Sequence, residues 1–273
     1  MRVHLVDGTV ELFRCFHGAP LARTTAGDEV GAARGVLATF AALLRDPEVS
    51  HVAVTFDTLS APPKKDPLES QVPLAVAVVR ALGIVVWPSG RFSADELLAS
   101  GARRYRDEVD QVVLCTTDLD NAQCVVGDRV VMRNRTTRVD TNEAMIRERF
   151  GVAPTQLPDL FALVGDRSDG IAGLPGFGVR SAGALVARFG SLDAVPLDAA
   201  AWPAIRGREG LCATFARHHR ETIHARDLLI LRDDAPIPYE VEDLRWGGPD
   251  KDALAEVLDR LEAPSDLAAQ APS

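Results

Sequence analysis

Acidic residues recur where apolar, strand-like runs end. Asp7 follows Val3–Val6, Asp57 follows Val52–Phe56, and Asp118 and Asp120 follow Val112–Cys115. Asp95 and Glu96 open a helical stretch just after Ile84–Trp87. A single Asp after a strand also serves as a turn former or a helix N-cap. Repetition at one strand end after another is what points to a shared task. Two like charges 4 Å apart repel by about 4 kcal/mol at an effective dielectric near 20. A pocket of many carboxylates therefore needs protons or cations to exist. Hard oxygen ligands favour Mg²⁺ or Mn²⁺ over zinc. Two such ions can activate a water and neutralise the leaving oxygen of a phosphodiester.

A second group lies in VGDRSDGIAGLPGFGVRSAGALV. Asp166 and Asp169 stand three apart, spaced to reach the same acidic pocket. Gly173, Gly176 and Gly178 allow another molecule to approach the backbone closely. The helix expected from about Arg180 offers free N–H groups to a phosphate, and Arg180 and Ser181 add a charge and a hydroxyl. Contacts of this kind hold a nucleic-acid backbone without reading its sequence. An ordinary helix–loop–helix turn has the same glycines, so it is the neighbouring aspartates that give the segment its meaning.

The elements that must position these residues alternate. Val3–Val6, Val52–Phe56, Ile84–Trp87, Val112–Cys115 and the weaker Val130–Met132 read as strands, with helical stretches at Gly35–Leu44, Val72–Leu82 and Ala94–Arg106. Continuous runs such as VAVTF suit strands buried on both faces. The expected class is α/β with a mostly parallel central sheet. In such a sheet the carboxyl ends of the strands share one edge, where sites form. This predicts that the Asp7, Asp57 and Asp118 carboxyl groups lie within roughly 10 Å of one another, as metal-bridged sites require. The segment Ser60–Pro73 is expected to be a loop, and from about Gly151 the pattern turns helical. The tail from Ala263 is small and polar and is expected to fray.

The chain has 273 residues and is 47% hydrophobic, enough for a sizeable core. No apolar run of about 18 residues spans a membrane, and MRVHLVDGTVELF is not a signal segment, so a cytoplasmic location is expected. The four cysteines make no C-x-x-C pair, which argues against a zinc site or a disulfide framework. The net charge of −9 excludes a protein that coats nucleic acid by charge alone, but is compatible with a carboxylate metal site.

Taken together, LVDG with FRCFHG, then VTFD, FSADELLAS, TTDLDNAQ and GDRSDGIAGLPGFGVRSA resemble the 5′-3′ exonuclease and flap endonuclease family, including the nuclease region of bacterial DNA polymerase I. The segments occur in the family's order over about residues 1–195. The resemblance implies a PIN-like nuclease domain at 1–155, a helix-three-turn-helix DNA-binding region with C-terminal helices at 156–262, and a flexible tail at 263–273. It implies hydrolysis of branched, nicked or 5′-ended DNA with two Mg²⁺ or Mn²⁺ ions, in DNA replication or repair. Protein partners are not indicated.

By the same resemblance, Asp7, Asp57, Asp95, Glu96, Asp118, Asp120, Asp166 and Asp169 are metal-site carboxylates. Asp7, Asp57, Asp95, Asp118 and Asp120 would serve one ion; Asp166 and Asp169 would serve the other. Arg14 matches a catalytic basic residue near the scissile phosphate. Gly176, Gly178, Arg180 and Ser181 match a turn that grips duplex DNA and, in relatives, a monovalent cation, with K⁺ the candidate. There are two departures. The motif that usually reads acidic–Ala–Asp–Asp is here Ser93-Ala94-Asp95-Glu96. The basic arch after the second aspartate shrinks to SAPPKKDPLESQVP, with Lys64 and Lys65 as its remaining cations. Two other readings follow: a catalytically weakened relative that binds branched DNA, and, from another class, a PIN-type ribonuclease.

Overall fold

The computed structural model describes residues 1–57 and 67–270. Lys64 and Lys65, and half of the expected loop, lie outside the described residues. The chain begins β1 (Arg2–Asp7), α1 (Gly8–Gly18), α2 (Gly31–Leu44), β2 (His51–Thr55), α3 (Val72–Ala81), β3 (Val85–Trp87), α4 (Ala94–Tyr105) and β4 (Gln111–Cys115). It continues through β5 (Val130–Asn134), β6 (Val139–Thr141), α5 (Glu143–Phe150), α6 (Leu157–Val164) and α7 (Val179–Phe189). It ends with α8 (Arg208–Arg217), α9 (His219–Leu229), α10 (Lys251–Arg260) and α11 (Ser265–Ala268).

The sheet has six strands in the order β3-β2-β1-β4-β5-β6. β1 pairs parallel with β2 and with β4, and β2 pairs parallel with β3. The α/β class with a mostly parallel sheet is therefore present as expected. The register puts Asp7 opposite Thr55, Thr55 opposite Trp87, and Val6 opposite Cys115. The carboxyl ends of all four strands thus meet along one edge. Every residue of β2 is buried, and so are five of the six in β1, because helices cover both faces.

The sequence expectations differ from the structure at junctions. Helix α1 had no counterpart among them. It begins on the residue after β1, and Asp7 is both the last strand residue and the N-cap, so no loop separates the two elements. The expected loop Ser60–Pro73 overruns the start of α3, where Pro73 sits in the first turn; proline is tolerated there because that N–H has no helical partner. Strand β6 was also unforeseen: its three residues, VDT, carry no apolar run.

Two compact units divide the chain. One comprises Met1–Thr117, Arg133–Val139 and Asp233–Ser273; the other comprises Asp118–Met132 and Asp140–Arg232. In the first, α4 packs on β1, α2 packs between α1 and α3, and α10 packs on α3. In the second, α6 packs against α7 and α9, and α5 against α7. Asp159 of α6 is buried there and accepts a hydrogen bond from the Leu192 N–H at 2.8 Å, with Arg226 3.6 Å away. No helix among the described residues is long and apolar enough to cross a membrane.

The contact of α4 with the sheet is tight. A Cβ added at Gly101 would lie 2.6 Å from Trp87 Cη2 and 2.8 Å from Leu5 Cδ1, both side chains being buried. Helix propensity favours Gly101→Ala by about 1 kcal/mol. Overpacking a rigid core costs about 1–3 kcal/mol, and here the obstacle is a fixed indole, so overpacking wins. Gly101→Ala should lower the melting temperature by a few degrees in thermal denaturation; an unchanged or higher value would mean that the α4 interface yields.

Candidate functional site

At the carboxyl edge of the first unit, the residues predicted for the site double as structural joints. Asp7 is 2% exposed; its Oδ1 accepts the Val10 N–H at 2.9 Å, capping α1, and its Oδ2 accepts the Thr116 hydroxyl at 3.0 Å. Thr116 follows β4 directly and escaped the sequence reading; its position one residue beyond a strand end was the available signal. Asp57 is exposed, and its Oδ1 accepts the Ala94 N–H at the start of α4 at 2.8 Å. The N-cap of α4 is Ser93, not Asp95, which the sequence had allowed as a cap. The Ser93 hydroxyl accepts the Glu96 N–H at 3.1 Å, and the Glu96 carboxylate accepts the Ser93 N–H at 3.0 Å, closing a capping box. One Glu96 oxygen is thus committed to the helix start. Asp95 is half-buried in the first turn of α4.

The Ser93 hydroxyl, at a position where the family resemblance implies an acid, therefore has a local task. Ser93→Ala should destabilise the protein by about 1 kcal/mol, the usual value of an N-cap. Ser93→Asp should keep the cap, since aspartate caps as well as serine does, while adding a carboxylate. Urea denaturation of the two variants checks this; equal losses would mean that the cap contributes nothing.

The second unit holds the densest acidic group. One carboxylate oxygen from each of Asp120, Asp166 and Asp169 lies within 4.8 Å of the others. Asp118 caps the short helical turn Leu119–Cys124 by accepting the Asp120 N–H at 3.1 Å, which fixes Asp120 next to it. Asp166 leaves the end of α6. Its backbone exchanges two hydrogen bonds with Ile171, at 3.0 and 2.7 Å, and its Oδ1 accepts the Ser168 N–H at 2.8 Å. This closes a loop that carries Asp169. Gly173 serves this fold rather than an approaching molecule, because a Cβ there would lie 2.2 Å from the Val164 carbonyl.

The electrostatics follow from this crowding. Burial raises the Asp118 carboxyl above its ordinary value, and the charges of Asp169 and Asp166 add to that; the Asp120 N–H opposes it. Asp120 is pushed up to about 8, first by burial, then by its hydrogen bond to Asp169 and the charges of Asp169, Asp118 and Asp166. A group of oxygen ligands that retains a proton near neutral pH is one that a divalent cation relieves. The residues present therefore fit such an ion.

The glycine-rich turn is built as expected. Leu174-Pro175-Gly176-Phe177 closes with the Phe177 N–H donating to the Leu174 carbonyl at 3.2 Å, and Gly176 takes φ +88°, as the third position of a type II turn requires. Gly178 precedes α7; its N–H donates to the Ser181 hydroxyl at 3.0 Å, and that hydroxyl lies 3.0 Å from the Gly178 carbonyl. Arg180 is exposed in the first turn of α7. Pro175, Gly176, Gly178, Arg180 and Ser181 line an open groove of about 870 Å³ whose other wall is Ile205, Arg206, Gly207 and the first turns of α8. The sequence reading missed that wall. Its signal was a second glycine- and arginine-rich stretch, IRGREG, preceding a helix.

Residues 2–151 match the model of the 5′-3′ exonuclease N-terminal resolvase-like domain, and residues 152–252 match that of the 5′-3′ exonuclease C-terminal SAM fold. The chain belongs to the 5′-3′ exonuclease family. It is 32% identical over 281 residues to DNA polymerase I of Pseudomonas aeruginosa, covering 94% of this chain and 30% of that protein. The chain thus spans about a third of the length of the polymerase relatives it matches. It is 26% identical over 278 residues to the 5′-3′ exonuclease of Aquifex aeolicus, covering 96% of this chain and 93% of that one. Among solved structures, the T5 D15 protein co-crystallised with metal ions superposes with a TM-score of 0.69 at 17% identity, covering 99% of this chain and 100% of that one. The catalytic core of Rad2 in complex with DNA substrate gives 0.65 at 16% identity, covering 98% and 89%. These two likenesses are of fold: a resolvase-like α/β domain followed by a helical SAM-like one.

The raised Asp120 value has a consequence in the metal-free chain. The unfolded chain releases this proton near pH 4, the native chain near pH 8. Between these values the native state binds more protons, so its stability falls as pH rises through the window. The melting temperature should fall from about pH 5 to pH 8, and Asp120→Asn should flatten the slope. A parallel slope in the variant would place the titration elsewhere.

Proposed function

We propose that the chain is a metal-dependent, structure-specific 5′ nuclease that hydrolyses phosphodiesters of branched, nicked or 5′-ended DNA. The observation that carries this reading is the Asp120, Asp166 and Asp169 group, three carboxylate oxygens within 4.8 Å, in a chain of the 5′-3′ exonuclease family. Asp120, which the sequence reading gave to the other ion, joins Asp166 and Asp169 in holding a divalent ion, Mg²⁺ or Mn²⁺, and Asp7, Asp57, Asp95, Glu96 and Asp118 serve as the remaining metal-site carboxylates of a two-ion enzyme. When bound, such ions supply charge neutralisation at the phosphate and lower the pKa of water.

The chain's own groups do the rest. Arg14 keeps 39% of its side chain exposed, so its donors can face a phosphate. The first N–H groups of α7, with Arg180 and Ser181, hold the duplex backbone at the groove, and Gly176 and Gly178 keep that approach free of side chains. The turn is also the candidate site for K⁺. Residues 1–155 act as the nuclease domain and 156–262 as the DNA-gripping region. A weakened enzyme is the second reading, favoured by one observation: Ser93 presents a capping hydroxyl where the family resemblance implies an acid.

Labelled flap, nicked and single-stranded DNA, with RNA of the same sequence alongside, should be incubated with the chain and Mg²⁺ or Mn²⁺. Branched or 5′-ended DNA should be cut, and a chelator should stop the reaction. Asp120→Asn combined with Asp169→Asn should lower the rate by about a hundredfold or more, the range for losing electrostatic stabilisation of a reacting phosphate. Cleavage that persists in excess chelator, or RNA cut while DNA stays intact, would overturn the proposal. Tight DNA binding with cutting only in Mn²⁺ would select the weakened form.

A further inference from the structure

Helix α1 carries a buried carboxylate that has no part in the reading above. Glu11 is 4% exposed and lies between two guanidinium groups. Arg14, one turn on, donates to Glu11 Oε2 through Nη2. Arg135 Nη1 pairs with Glu11 Oε1 at 3.1 Å. Arg135 is itself fixed: its side chain is 9% exposed, it donates to the Thr39 carbonyl at 2.9 Å, and it lies over the Phe40 ring with its guanidinium 5.4 Å from the centroid. Arg14 differs in keeping 39% of its side chain exposed. Its Nη1 donates to the Thr136 hydroxyl at 2.6 Å.

Stability alone does not explain this arrangement. A buried ion triad is often no better than well-packed apolar side chains of the same volume. What it provides is geometry. An arginine on a helix surface samples many rotamers, and ordering it opposes any reaction that needs one of them. Here Glu11 anchors one terminal nitrogen and Thr136 the other. Arg135, locked by Thr39 and Phe40, holds Glu11 in turn. An arginine has five N–H donors; these two contacts leave the others for a phosphate. The triad carries two positive charges and one negative, so it remains cationic towards an anion.

We propose that Glu11 is a positioning residue, held by Arg135, that fixes the Arg14 guanidinium for the phosphate undergoing cleavage. The inference rests on the nuclease reading and on Arg14 facing the phosphate. The test is single-turnover cleavage of flap DNA by the full chain in Mn²⁺, with flap-DNA affinity and melting temperature measured in parallel. Glu11→Gln keeps the shape and removes the charge. It should slow cleavage at saturating DNA about tenfold and leave the Kd within about twofold, whereas Arg14→Ala should slow cleavage about a hundredfold. In the Arg14→Ala background, Glu11→Gln should slow cleavage no further. An undiminished rate for Glu11→Gln, or the same tenfold loss without Arg14, overturns the proposal alone. An undiminished rate for Arg14→Ala overturns both the proposal and the role given to Arg14. Should Glu11→Gln fail to fold, Thr136→Val at an exposed position removes the other anchor. It should slow cleavage about threefold, again only when Arg14 is present.

Discussion

Carboxylates repel one another, and the second unit nevertheless brings three of them within 4.8 Å. Everything around Asp120, Asp166 and Asp169 can be understood as a way of holding that arrangement. Asp118 spends its side chain on the Asp120 N–H and so sets where Asp120 stands. The paired backbone bonds between Asp166 and Ile171 close the loop that brings Asp169 back. Partial burial of Asp120 adds to the repulsion, and the result is a proton retained by Asp120 up to about pH 8. The fold bears an unfavourable local charge density, and a cation is the natural relief.

The same economy of parts appears at the carboxyl edge of the first unit. The parallel register sets the ends of β1, β2, β3 and β4 along one line. Helix α1 begins at once beyond β1, and the start of α4 meets Asp57 just past β2, so side chains at this edge reach unsatisfied N–H groups. Asp7, Asp57 and Ser93 each accept one. At these positions the requirements of a helix start and of an acidic site coincide.

The sequence made five of the six strands, the α/β class and the glycine-rich turn legible because each depends on short-range signals: apolar runs, proline and glycine. The limits arose where one residue served two elements. Asp7 ends β1 and caps α1, so no turn signal announced that helix. The IRGREG wall of the groove, Thr116 beside Asp7, and the Glu11–Arg135 pair went unread for a different reason. Each is a meeting of residues far apart in the chain, and Glu11 and Arg135 are ordinary surface types when read alone. Family resemblance named the acidic positions but gave no hint that Ser93 and Glu96 would close a capping box.

That double service bears on how such chains diverge. A descendant that ceased to cut its substrate would still need Asp7 to start α1 and Asp118 to start the turn after it, so folding alone would preserve them. Their presence in a sequence is weak testimony to turnover. Asp120 and Asp169 are different: among the described residues, their carboxylates accept no backbone hydrogen bond and face one another. A fold with no reaction to perform would gain by discarding either one, so this pair bears more directly on the proposed function than Asp7 or Asp118 does.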